Sequence, residues 1–437
     1  MAEYFPRVKA IKYEGPDSKN PLAFKHYDPK RKVGGKTMAE HLRFAVCYWH
    51  SFRGAGADPF GVGTRTMPWL DAADEMTAAE QTLDACFEFI SKLGVGFWCF
   101  HDRDIAPEGA DVDDSARNLE HIVKLAKKKQ RDTGIKLLWG TANLFSHPRY
   151  RSGAATACNP HVVAHAASQV KRALDATKYL GGSGYVFWGG REGYESLLHT
   201  DMARELDHLG RFLHMALDYK KKIRFGGQFF IEPKPKEPTK HQYDSDAAAC
   251  HAFLQKYDLV KDFKLNIEAN HATLAGHEFM HDLMYAADNK ILGSVDANRG
   301  DTLLGWDTDQ FPTNIYETAL AMMVILKAGG FTKGGLNFDA KLRRQSVDVE
   351  DLFYAHIGAM DAFARGLVIA HQIIKDKALD KFVNDRYKTW NSDLGRKFEK
   401  GKLTLDQLEA YARKHGEPAV PSGRQELIEN VFNDYIK

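Results

Sequence analysis

The sequence has little of what would set it apart from ordinary globular proteins. Cysteine is scarce: Cys47, Cys86, Cys99, Cys158 and Cys250 are an odd five among 437 residues, widely spaced and without a CxxC pair. That pattern argues against a disulfide scaffold and for free thiols in a reducing compartment. Long apolar runs are missing. No stretch of about 18 uncharged apolar residues occurs, and the opening MAEYFPRVKAIKYEGPDSK has no apolar h-region, so a cytoplasmic protein that does not span a membrane is expected. An excess of one charge is lacking too. With 60 Lys and Arg against 58 Asp and Glu, the net charge of +2 gives no electrostatic reason to bind nucleic acid or an anionic membrane. The basic clusters LAKKKQR and DYKKKIR fall near the ends of helical patterns, where Lys meets the negative end of the helix dipole.

What is present is a rhythm. Residues 1–41 are polar and rich in Lys, Pro and Gly, and read as an N-terminal extension laid over the main domain. Eight short apolar runs follow: RFAVCYW, VGFWCFHD, IKLLWGTA, GYVFWGG, GQFFIEPKP, FKLNIEAN, ILGSVDAN and GGLNFDA. Between most of them lie segments of helical period, such as AEQTLDACFEFISKLG, ARNLEHIVKLAKKK, HVVAHAASQVKRALDATKYLG, residues 201–222 and GHEFMHDLMYAADN. Parallel strands need crossovers of a dozen or more residues, so this alternation predicts an α/β fold, a (β/α)₈ TIM barrel over residues 42–375. Residues 376–437 are helical, charged and short of apolar side chains for a core of their own. They are expected to form a C-terminal helical arm contacting a neighbouring subunit, the alternative being an arm packed on its own barrel.

Acids recur where the strands stop. The segments FFIEPKPKEPTKHQYD, FKLNIEANH, LGSVDANRGD, LGWDTDQ and LNFDAK carry Glu232, Glu268, His271, Asp296, Asp307, Asp309 and Asp339. Barrel active sites lie at the C-terminal ends of the strands, so these side chains are expected to converge. Any one of them could be a turn or N-cap residue, but a whole series is poorly explained that way. Two like charges about 4 Å apart repel by about 1 kcal/mol in bulk water and several-fold more when partly buried, so six together call for cations. Oxygen ligands with one imidazole suit Mg²⁺, Mn²⁺ or Co²⁺, and seven ligands suit two ions sharing a bridging carboxylate. Asp307 and Asp309, two apart, are expected to project to one side of an extended segment.

Other residues surround this set. In FHDRD, Asp104 can fix the tautomer of His101, which then serves either as an acid–base group or as a structural donor. Lys234, two residues after Glu232, either polarises an oxygen or offsets the acidic field. Trp49, Phe60, Phe145 and Trp188 stand at or after strand ends, where they serve as core or as a stacking wall for a sugar ring.

Taken with DPFG, TANLFSHPRY, VFWGGREGYE, NIEANHATLAGH, DANRGD, GWDTDQFP and LNFDAKLRR, these segments resemble xylose isomerase, in its longer class with an N-terminal extension, over nearly the whole chain. The resemblance implies a homotetramer that interconverts D-xylose and D-xylulose and, less efficiently, D-glucose and D-fructose. It implies a structural metal on Glu232, Glu268, Asp296 and Asp339 and a catalytic metal on Glu268, His271, Asp307 and Asp309. His101 with Asp104 would assist ring opening, and Lys234 would contact the carbonyl end. Trp49 and Trp188 would wall the pocket, Thr141 would contact the sugar, and Phe60 would enter from an adjacent subunit. An enediol route needs an uncommitted base at C2, and every strong base here is a ligand or is paired. A metal-assisted 1,2-hydride shift is therefore expected. A metal-dependent phosphodiesterase would want a basic face and more His ligands, and a non-catalytic sugar-binding protein could dispense with Lys234 or His101. Rhamnose isomerase is the nearest rival among the isomerases.

Overall fold

The computed structural model describes residues 3–436; Met1, Ala2 and Lys437, at the outer ends of the expected extension and arm, lie outside the described residues. Eight parallel strands close into a barrel: β1 (Ala45–Cys47), β2 (Phe97–His101), β3 (Lys136–Thr141), β4 (Gly184–Trp188), β5 (Gln228–Glu232), β6 (Phe263–Glu268), β7 (Leu292–Asp296) and β8 (Leu336–Phe338). Each pairs with the next in chain order, and β8 returns to β1 through Asn337 against Ala45 and Phe338 against Val46. Eight helices follow the strands in turn: α1 (Glu75–Leu93), α2 (Val112–Thr133), α3 (Pro160–Tyr179), α4 (Met202–Lys222), α5 (Ala247–Lys256), α6 (Phe279–Asp288), α7 (Ile315–Lys327) and α8 (Asp351–Asp376).

Local chemistry sets the limits of these helices. Asp74 and Asp111 accept the exposed first-turn N–H groups of Thr77 and Asp114, while Gly94 and Gly134, both at φ 77°, end α1 and α2 in the left-handed conformation that glycine adopts without strain. The LAKKKQR and DYKKKIR clusters do sit in the last turns of α2 and α4. Helix α8 is long and apolar enough to cross a membrane, but 67% of its most apolar window is buried inside the protein. One strand is shorter than its sequence suggested. β1 stops at Cys47, and Trp49 opens a wide helical turn, Trp49–Arg53, so that it swings over the barrel mouth instead of closing the strand.

The barrel interior is divided. Residues two positions before the strand ends share the inward face with them. On β2 to β5 these are Cys99, Trp139, Val186 and Phe230, an apolar plug that also takes in Ala45 and Leu138. On β6 and β7 they are Asn266 and Ser294, and Asn337 of β8 stands in the same way two positions before Asp339, just past the strand; all three are fully buried. The fold thus offers dry floor on one side and polar support on the other.

The N-terminal segment lies across the outside, with Phe5, Val8, Phe24 and Tyr27 buried. Asp361 of α8 fastens it by accepting from the backbone N–H groups of Lys25, His26 and Tyr27 at 2.7–2.9 Å. Beyond α8, the short helices Asp380–Tyr387, Asp393–Glu399, Leu405–His415 and Gln425–Asn433 and the connections between them leave Val383, Trp390, Phe398, Tyr411 and Val420 exposed. The chain end then returns to its own barrel, where Phe432 is buried 4.8 Å from the Tyr316 ring of α7.

Candidate active site

At the C-terminal mouth of the barrel lies a cleft of about 370 Å³. Its lining includes the acids Glu232, Glu268, Asp307, Asp309 and Asp339 together with His271, facing Trp49, His101, Phe145, Trp188 and Lys234. Oxygens of Glu232, Glu268, Asp296 and Asp339 come within 4.8 Å of one another, as do oxygens of Glu268, Asp307 and Asp309, so Glu268 belongs to both groups. His271 joins them from both sides of its ring, with Nδ1 3.2 Å from Glu268 and Nε2 3.2 Å from Asp307.

Asp307 and Asp309 converge for a different reason from an extended segment. The stretch before them is a loop with Gly305 at φ 69°, and Asp309 itself is left-handed at φ 43°. Arg343 holds this turn by donating to the carbonyls of Thr308 and Asp309. The two carboxylates are thereby brought together facing Glu268, with Asp307 also held by Lys234 Nζ at 2.7 Å and Asp309 by Lys341 Nζ at 2.8 Å.

The field in the cleft is strongly uneven. Burial, then the charges of neighbouring carboxylates, pushes Glu232 and Glu268 well above the usual carboxylate range and Asp296 to about 8. Burial also opposes ionisation of Asp307, yet Lys234 and His271 outweigh it and hold that group well below its ordinary value. His50 is the same contest reversed: burial disfavours its cation, but Asp309 and Asp339, 3.2 and 3.1 Å from Nε2, raise it to about 9.

On the opposite wall His101 Nδ1 meets Asp104 at 2.8 Å, which fixes the ring and leaves Nε2 for the cleft. Trp49 lies 4.3 Å from the His101 ring and donates its indole N–H to Asp339 at 2.8 Å. Phe145 meets Trp188 edge-to-face at 4.4 Å, and Lys234 sits 5.3 Å over Trp188. The Thr141 hydroxyl donates to the Val186 carbonyl at 2.6 Å, keeping only acceptor capacity toward the cleft. Phe60 is elsewhere. It is 84% exposed, near Trp306 at 6.3 Å, and does not line the cleft of its own chain.

Relatives share this sequence from end to end. A xylose isomerase of Thermoanaerobacter sp. (strain X514) is 58% identical over 434 residues, 99% of each chain, and one of Thermotoga neapolitana is 56% identical over 436 residues, 100% of this chain and 98% of the other. The chain belongs to the xylose isomerase family. A family model described as the XylA2 C-terminal domain matches residues 383–436. Among solved structures, a Rhodospirillum rubrum protein provisionally described as a xylose isomerase shares the barrel fold at TM-score 0.51 and 15% identity, covering 74% of this chain and 98% of its own.

A pair of divalent cations fits the donor set of this xylose isomerase family member. Two overlapping carboxylate groups share Glu268, and the buried Nδ1 of His271 has no hydrogen-bond partner. The support beneath the ligands comes from residues that the strand-end pattern passed over. Asn266 donates to Glu232 at 3.0 Å and to Asp296 at 2.8 Å, Asn337 to Asp296 at 2.9 Å, and Asn298 to Glu268 at 2.7 Å. A sequence signal for them exists: Asn is disfavoured in strands, yet it occurs inside two of the most apolar runs. His50 and Lys341 give no comparable signal, because the carboxylates they face lie far away in the sequence, Asp309 standing 32 positions before Lys341.

Proposed function

We propose that this chain interconverts D-xylose and D-xylulose, and D-glucose and D-fructose, by ring opening followed by a two-metal-assisted 1,2-hydride shift. The observation that carries the reading is the pair of carboxylate groups sharing Glu268 beneath an aromatic wall. Glu232, Glu268, Asp296 and Asp339 would hold one cation, and Glu268, His271, Asp307 and Asp309 the other. When bound, two cations of the Mg²⁺, Mn²⁺ or Co²⁺ class neutralise these acids and polarise O1 and O2 of the sugar.

The chain's own residues supply the rest. His101, oriented by Asp104, takes and returns the proton needed to open the cyclic sugar. Lys234, held by Asp307, points its ammonium at O1 of the open aldehyde. Trp49, Phe145 and Trp188 exclude water while hydrogen moves with its electron pair from C2 to C1; O2 loses its proton and becomes the ketone, and O1 gains one. The cleft acids are proposed ligands except Glu237, which accepts from the Asp307 backbone N–H at 2.8 Å and faces Lys234 at 3.7 Å, and this shortage of an uncommitted base disfavours an enediol.

A homotetramer completes this reading, with Phe60 of one subunit closing the site of another. The exposure of Phe60 and of the apolar side chains on the arm supports it. Five free thiols fit a cytoplasmic setting. The test is removal of metal by chelation: activity on xylose should vanish and return with Mg²⁺, Mn²⁺ or Co²⁺. Full turnover in protein freed of metal would overturn the reading.

A further inference from the structure

Away from the cleft, a second set of ligating side chains gathers where the chain enters α6. The short helix Ala269–Leu274 carries His271, then turns through Gly276 at φ 81°. His277 follows, its backbone N–H bound to the Ala272 carbonyl at 2.9 Å, and His281 with Asp282 lies in the first turns of α6. One donor atom each from His277, His281 and Asp282 comes within 4.8 Å of the others. None of the three belongs to the cleft.

We propose that His277, His281 and Asp282 bind a transition-metal cation of the zinc, nickel, copper or cobalt class, separately from the central site. Two imidazoles and one carboxylate form the nitrogen-rich donor set such ions prefer, in contrast to the oxygen-dominated cleft. The geometry is nearly ready. His277 Nδ1 already stands 2.9 Å from Asp282 Oδ1, and two donors at about 2.1 Å from one tetrahedral ion sit roughly 3.4 Å apart. Only His281 has to swing inward. Its ring is exposed, lies 4.7 Å from the His277 ring, and among the described residues makes no hydrogen bond. A helix-entry hydrogen bond would account for His277 with Asp282, but it leaves the placement of His281 without a purpose. Asp282 is buried and feels the negative charge of Asp246 nearby, so a cation arriving there meets a field of the right sign. Solvent can fill the remaining coordination positions from the exposed side.

The full-length protein tests this directly. Wild type, His277→Gln and His281→Gln are loaded with Zn²⁺ in excess Mg²⁺, freed of unbound metal by gel filtration, and their bound zinc counted per subunit. Wild type should retain one zinc more than either variant, and His281→Gln should isomerise xylose with Mg²⁺ at the wild-type rate. Cu²⁺-loaded wild type should also show nitrogen hyperfine splitting that weakens in both variants. Equal zinc in all three proteins, or an unchanged copper spectrum, would overturn the proposal. Because the readout is a difference between proteins, it does not depend on how many ions the central cleft holds.

Discussion

Glu268 shows how one side chain can organise a site. It ends β6, is 2% exposed, accepts from Asn298, and contributes an oxygen to both carboxylate groups. Its partners differ in what they would lose. Asp309 belongs to the second group, which His271 is proposed to join and whose other acid Asp307 is already balanced by Lys234. Replacing Asp309 or His271 with Asn is therefore expected to weaken the second cation and lower turnover by at least roughly 10–100-fold while the fold survives. Metal titration with circular dichroism and a sugar assay checks this; wild-type rates in either variant would remove these residues from the catalytic metal. The convergence of most of these acids was legible in the sequence because a strand that ends on an acid is costly unless the acid has a task. His50 was not. A histidine in YWHSF carries no local pattern, and Asp309 and Asp339, which it bridges, arrive from more than 250 positions away.

The elements divide along the same line. Helices α1 to α4 and α6 have polar faces, and their 3.6-residue period shows in the sequence. Helices α7 and α8 do not announce themselves in this way, because they are buried on most sides, as in AMMVIL of α7. Helix α8 also holds a titratable group that affects the whole barrel. His356 is fully buried among Phe89, Phe311 and Phe338, and burial pulls it down from 6.5 to about 4. Between those values the unfolded chain takes up a proton that the folded chain refuses, so stability is present above pH 6.5 and is lost as pH falls toward 4. The loss from this group amounts to about 3 kcal/mol. His356→Leu, compared with wild type by urea unfolding across that range, should show a correspondingly shallower acid decline. Parallel declines in the two proteins would show that His356 is not the cause.

At the scale of the whole molecule, the barrel makes its own core, whereas the arm after α8 leaves aromatic side chains in solvent and touches its own barrel chiefly at its end. On the proposed assembly, in which the arm joins subunits and Phe60 closes a neighbour's site, a chain ending at Asp376 should elute with fewer subunits per particle than the full-length protein and lose sugar turnover. Unchanged elution would place the contacts between subunits elsewhere. The sequence indicated the barrel through its eightfold alternation and the arm through its shortage of core residues. It could not indicate how strand ends pair with loops such as 305–309, since that depends on left-handed backbone at Asp309 and on Arg343 reaching back to hold it.

The most direct measurement follows the hydrogen itself. Xylose carrying deuterium at C2 is converted in ordinary water with Mg²⁺, and the xylulose formed is read by NMR. The proposed hydride shift, with the ligand acids committed to cations behind a wall of Trp49, Phe145 and Trp188, predicts that deuterium is retained at C1. Loss of the label to solvent would mean a proton was abstracted by a free base, contradicting the hydride shift.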